Sequence, residues 1–251
     1  MNNGQLLPET AYWNGTWEAP PGKAKGCLPK RHEPGEVCGF WRDIPDARVI
    51  PISEWDDYLD KGIDLQMSSA YMYSQASVGS CAAEGVNAGV EVMQGVSGMP
   101  QTLFNPYGMY HYTSGGRDNG STLSDNLSFA RDRGCFPEVY WPRTEGWRKE
   151  PNEDAQDAAL QHRIDEYWEI ENWEEMGSAL LQRFAVYAAY AGHAWLAVAV
   201  VNKQQLKYRN SWGEDWGDHG YGIINQSRVQ FQYGIYAIRT TLWLPDSAKE
   251  T

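Results

Sequence analysis

Between Phe184 and Val201 the chain carries two apolar runs, FAVYAAYA and HAWLAVAVV, with only Gly192 between them. A junction this short permits only a tight reversal. The two runs therefore predict a β-hairpin whose strands are both largely buried. Neither run approaches the roughly 20 apolar residues needed to span a bilayer.

Further strands are predicted downstream, at Leu206 to Trp212, Gly220 to Asn225 and Tyr233 to Trp243. Upstream, Ala47 to Ser53 reads as an extended opening strand. Ser80 to Met93 reads as a helix, because Val86, Val90 and Met93 recur at helical spacing and Ser80 can act as its N-cap. Ser124 to Arg133 is a second helix, ended by Gly134. Glu150 to Glu175 is dense in carboxylates and reads as helical throughout, with a solvated face. Helices come first and strands second, so the expected fold class is α+β with segregated lobes.

Residues 1 to about 45 are rich in Pro, Gly, Trp and charge, with a turn at Ala19-Pro20-Pro21-Gly22. They read as an arm that wraps the surface without a core of its own. The expected division is an arm over 1–45 and a body over 46–251. Within the body, about 65–148 forms a helical lobe and about 149–251 a β-rich lobe.

The chain has 251 residues, 42% of them hydrophobic, with 12 Trp and 15 Tyr, which is a globular composition. Its formal net charge of -12 repels nucleic-acid backbone and anionic membrane, so neither is an expected partner. A cationic peptide suits it better. Met1 to Gly26 lacks a basic stretch followed by an apolar one, so no leader is expected. Cys27, Cys38, Cys81 and Cys135 form no CxxC pair. This points to a reducing compartment, a cytoplasm or a particle assembled in one. No cofactor is expected. Cys27, His32 and Cys38 are three irregularly spaced groups, short of a zinc set.

Cys81 lies in Gln75-Ala-Ser-Val-Gly-Ser-Cys81-Ala, where loop becomes helix. Unpaired N–H groups and the positive helix end there favour the thiolate. His193 opens an apolar strand directly after a glycine turn. Asn210 ends a strand, and its amide oxygen can accept from an imidazole N–H and fix the tautomer. Trp212 can cover that contact and exclude water. Taken singly, a cysteine at a helix start and a histidine at a strand end are most often structural.

The three blocks together resemble the papain-like cysteine proteases. Those enzymes carry Gln-x-x-x-Gly-Ser-Cys, then His-Ala opening a strand, then Asn-Ser-Trp-Gly-x-x-Trp-Gly-x-x-Gly-Tyr, and all three blocks stand here in that order. The resemblance spans about residues 47 to 243. It implies a helical lobe with a central nucleophile helix, packed against an antiparallel, β-barrel-like lobe, with the site in the cleft between. It also implies Cys81 as nucleophile, His193 as its base, Asn210 orienting the histidine and Gln75 in the oxyanion hole, acting on peptide or protein substrates. Asn119 and Gly120 resemble the segment that pairs with substrate backbone, with Gly115-Gly116 as a competing alignment, and Trp212 would flank the substrate.

The chain departs from the family in several places. Cys81 to His193 is 112 residues and Cys81 to Asn210 is 129, shorter than the roughly 130–150 of the papain and cathepsin branch. Ala82 replaces an aromatic, and Val78 stands where secreted members have a disulfide cysteine. Gly192 replaces an aspartate. His219 replaces an asparagine and reads as structural. The tight Ala191-Gly192 turn omits the long excursion that walls the leaving-group side of the cleft. No inhibitory propeptide is recognisable in the arm. Two other readings stay open: a structural component of a virion or other assembly, joined through the arm, and another acyl transfer such as deamidation, transglutamination or isopeptide cleavage.

Overall fold

The computed structural model describes residues 6–12, 14–45 and 47–240. Six α-helices fall within them: α1 (Trp55–Leu59), α2 (Cys81–Val96), α3 (Pro106–Thr113), α4 (Leu123–Asp132), α5 (Glu153–Ala159) and α6 (Trp173–Leu181). The strands are β1 (Cys27–Leu28), β2 (Ser121–Thr122), β3 (Ile164–Glu169), β4 (Ala185–Tyr190), β5 (His193–Asn202), β6 (Gln205–Arg209), β7 (Tyr221–Asn225) and β8 (Tyr236–Thr240). The fold class is α+β.

Strands β3 to β8 form one antiparallel sheet in the order β3-β8-β4-β5-β6-β7. The hairpin expected from the two apolar runs is β4 and β5, with Tyr190 opposite His193. Ala191 and Gly192 both have positive φ, 51° and 78°. Such a turn matches the right-handed twist of the strands it joins. It leaves His193 as the first residue of β5, fixed by the pairing behind it.

Helix α2 lies against β4, β5 and β8. Every residue from Cys81 to Gln94 is buried. Gly85 allows this approach: a Cβ there would come within 2.5 Å of the Tyr187 ring. Ser80 does not cap α2 with its side chain. Its hydroxyl instead donates to Glu84 one turn on, at 3.2 Å. Helix α4 is capped by Thr122, whose Oγ1 accepts from Asp125 N–H at 3.0 Å. Gly134 (φ 83°) ends it, donating to the carbonyls of Phe129 and Ala130.

Three expectations are corrected. The acidic stretch is not helical throughout, since β3 separates α5 from α6. Ile164, Tyr167 and Glu169 of β3 are buried while Asp165 and Glu166 face out. Pairing with β8 offers that strand more than a solvated helix would. Ala47 to Ser53 forms no strand; its last residues open a 3₁₀ turn, Ile52–Glu54. The final strand is described only to Thr240, so the expectation for residues 241–243 lies outside the described residues.

The arm is also more than a surface wrap. Trp41, Tyr12 and Cys27 are buried in the main core. Residues 7–12 run along β7, where Thr10 N–H donates to Ile223 O at 2.9 Å. At the other edge of the sheet, Phe40 bridges to Glu169 of β3. The arm thus covers both sheet edges, which would otherwise present unpaired backbone. Among the described residues no helix is long and apolar enough to cross a membrane.

Candidate active site

Cys81 opens α2 and His193 opens β5, so the helix end meets the hairpin tip. The backbone N–H groups of Ala194, Gly26 and Ala82 surround the Cys81 thiol and favour its charged form. Ala194 directly follows His193, which brings the thiol to the base of the imidazole. Both side chains are fully buried.

His193 Nε2 lies 2.6 Å from Asn210 Oδ1. The same oxygen accepts from Ser211 N–H at 2.8 Å. An oxygen receiving a backbone N–H fixes the amide's orientation, so the ring nitrogen facing it must donate. Nδ1 is left as the bare nitrogen, and it has no hydrogen-bond partner. Trp212 stacks on the imidazole, with ring centroids 4.2 Å apart, and shields the contact from water.

Burial lowers the His193 pKa to about 3, against the opposing pull of the Asn210 bond and with help from the Lys25 charge. Burial pushes the Cys81 thiol up to about 11, although the three N–H groups work the other way. Both effects disfavour the charged forms. Burial thus favours the uncharged form of each group in the folded chain.

Gln75 is buried behind the nucleophile loop. Its Oε1 accepts from Ser211 Oγ at 2.6 Å, which turns its amide N–H groups the other way. Those groups donate to Val78 O at 2.7 Å and Ala24 O at 3.1 Å. Ala24 belongs to the arm. Trp212 Nε1 donates to the same carbonyl at 3.1 Å.

The arm continues along the groove. Gly26 O accepts from Ser121 N–H at 2.8 Å, and Cys27 N–H donates to Gly192 O at 2.9 Å. β1 then pairs in parallel with β2. Gly120 therefore adjoins the groove, next to Ser121, whereas Gly115 and Gly116 sit in an exposed turn. The Asn119 side is exposed. Tyr12 and Trp17 close over the hairpin tip. Tyr12 stands edge-on to His193 at 5.3 Å and to Trp212 at 5.0 Å, and Trp17 stands edge-on to Tyr190 at 5.1 Å.

Sequence reasoning missed Ser211 as the residue that orients Gln75, although it lies inside the asparagine motif. It also missed Asp118 and Tyr110, which tie the groove walls together. Their positions beside the Asn119-Gly120 segment are the only sequence signal for them. His219 lies on an exposed loop with φ 51°, 3.8 Å from Glu214. His32 contacts Tyr236 Oη at 3.1 Å through Nε2. Among the described residues no group of three His, Cys, Asp or Glu side chains is arranged to hold a metal ion.

No protein-family profile and no curated protein sequence matches the chain. Solved structures do. Xylellain, a cysteine protease from Xylella fastidiosa, superposes with a TM-score of 0.64 at 17% identity, over 94% of this chain and 99% of that one. This fold is papain-like. A papain-like cysteine protease of Carica candamarcensis, solved with E-64, matches with a TM-score of 0.59 at 17% identity, over 71% of this chain and 97% of that one. The digestive procathepsin L 3 of Tenebrio molitor matches with a TM-score of 0.58 at 16% identity, over 70% and 69%. Against that papain-like frame, the Ala191-Gly192 turn is as short as the sequence implies. The arm's Tyr12 and Trp17 stand at the tip of this hairpin.

Proposed function

We propose that the chain is a cysteine peptidase acting on extended peptides. The thiol of Cys81 attacks the scissile carbonyl carbon and passes its proton to His193 Nδ1. The tetrahedral adduct then breaks its C–N bond as the protonated imidazole donates that proton to the leaving amine, and the acyl group remains on the sulfur as a thioester. Water, deprotonated by the same nitrogen, then hydrolyses the thioester and regenerates the thiol. Asn210 holds the ring in the tautomer that keeps Nδ1 free. Gln75 Nε2 and the Cys81 backbone N–H supply the oxyanion donors once the groove is occupied by substrate.

One observation carries this reading. Asn210 Oδ1 claims Nε2, and the other ring nitrogen is left unpartnered at the hairpin tip, where the backbone N–H of Ala194 lowers the pKa of the Cys81 thiol against burial. A histidine kept for structure alone would satisfy both nitrogens.

Hydrolysis of a mixed peptide library by the full chain, and by the chain nicked in the exposed turn after Glu33, tests the proposal. Peptide cleavage should vanish in Cys81→Ser. It should fall ~100- to ~1000-fold in Gln75→Ala, the usual cost of one oxyanion donor. Cleavage that survives Cys81→Ser, or its absence from both intact and nicked protein, would refute it.

A further inference from the structure

The Asn210 amide is only half used. Its Oδ1 serves His193 and Ser211 N–H, but its Nδ2 has no hydrogen-bond partner among the described residues. Three further buried atoms share that condition: Glu84 Oε2, Trp195 Nε1 and Arg209 Nε. None of the four residues is more than 3% exposed, so bulk solvent does not serve them. A buried polar atom without a partner keeps the full cost of its lost hydration, which is why such atoms are rare.

The four residues share one place. With Gly85 and Ala88 they line a cavity of about 10 Å³ where α2 faces β5 and β6. That is room for one water molecule. The chemistry of the lining narrows the occupant further. Asn210, Trp195 and Arg209 offer N–H groups, which reject a cation. Glu84 rejects an anion: it is paired with Arg143 and is therefore a carboxylate, an acceptor only. Arg143 and Ser80 Oγ both engage its Oε1, which leaves Oε2 to accept from elsewhere. The occupant must accept from N–H and donate to a carboxylate within the volume of a single heavy atom, which describes water.

We propose that this cavity binds one buried water, which accepts from Asn210 Nδ2–H and donates to Glu84 Oε2, and that Glu84 is thereby a positioning residue for Asn210. The water's second lone pair serves Trp195 or Arg209. By taking a hydrogen of the water, Glu84 turns its lone pairs toward the N–H groups opposite. This matters because an asparagine amide can turn end for end with almost no change of shape. Reversed, it would offer N–H to the imidazole, and His193 would carry its proton on Nδ1 instead of Nε2. Ser211 N–H opposes that reversal at Oδ1, and the water opposes it at Nδ2. The inference rests on His193 being the base that Asn210 orients, but its test requires no turnover.

A crystal structure of the full chain at atomic resolution should show one ordered water within hydrogen-bond distance of both Asn210 Nδ2 and Glu84 Oε2. Nitrogen NMR of the histidine-labelled full chain then reports which ring nitrogen of His193 holds the proton. Glu84→Leu should shift that tautomer ratio toward Nδ1–H by ~10-fold, the equilibrium weight of about one hydrogen bond. Glu84→Gln, which keeps an oxygen for the water, should restore the wild-type ratio. Arg143→Met breaks the same ion pair without removing Oε2 and should also leave the ratio unchanged, which a merely destabilising loss would not. A dry cavity, an unshifted ratio in Glu84→Leu, or an equal shift in Arg143→Met overturns the proposal. If Glu84→Leu fails to fold, the wild-type crystal structure and the Arg143→Met spectrum decide. Spectra that follow the prediction without any peptide cleavage would keep the water and reject only the peptidase.

Discussion

His193 is held neutral by its surroundings, and this has a consequence for stability. The folded chain keeps its pKa at about 3, while the unfolded chain releases it to about 6.5. Between those values the unfolded state binds a proton that the folded state refuses. The stability associated with the neutral ring is therefore complete above the unfolded value and is lost as pH falls toward the folded one. The slope from one such group is at most about 1.4 kcal/mol per pH unit. Urea titrations of wild type and His193→Gln should diverge between about pH 6 and about pH 4, the variant losing stability more slowly by up to about 1 kcal/mol per unit. Parallel slopes would mean that the imidazole is solvated or charged in the folded protein.

Among the elements, α2 carries two fully buried carboxylates. It buries Glu84 and Glu91 within its packed length. Glu84 is met by Arg143 and by Ser80 Oγ. Glu91 is met by Arg209 of β6, with the carboxylate fully buried and the guanidinium almost so. Glu91 also accepts from Ala70 N–H, and Arg209 donates to Tyr71 O. The Glu91–Arg209 pair thus ties α2 to the strand that leads directly into Asn210. Removing one member leaves a buried charge alone. Arg209→Met should cost about 3–5 kcal/mol in denaturant unfolding, whereas Arg209→Met combined with Glu91→Leu should recover most of the loss. Single-variant losses below about 1 kcal/mol would show that water reaches the pair.

At the scale of the whole molecule, the arm holds the parts together. It lies on β7 at one edge of the sheet, crosses the groove, and bridges to β3 at the other. Its anchors are unequal. Trp41 is fully buried in the main core, while Trp17 and Ala24 are only partly covered. The groove segment should open without global unfolding. In native-state hydrogen exchange, the amides of Ala24 and Cys27 should exchange at markedly lower free energy than those in the middle of β5, and independently of low denaturant. If they instead exchange with the global unfolding free energy, release of the arm would require unfolding of the whole chain.

How far the sequence reached follows from the range of the interactions. Cys81 at a helix start, His193 after a glycine turn and Asn210 at a strand end were legible because local pattern fixes each: a loop-to-helix junction, a two-strand apolar reversal, a glycine-flanked loop. The hairpin was legible for the same reason. Strand β3 was not, because its acidic residues match a helix surface and only pairing with β8, some 70 residues on, makes it a strand. Nor was the course of the arm. Gly26 has no periodicity or motif that announces a groove, and its place depends on the separation of Gly79 and Gly120 on other segments. The sequence alone determined which side chains could do chemistry and on which elements they ride. Tertiary structure decided what those groups face, because the distance between two walls belongs to no single stretch of chain.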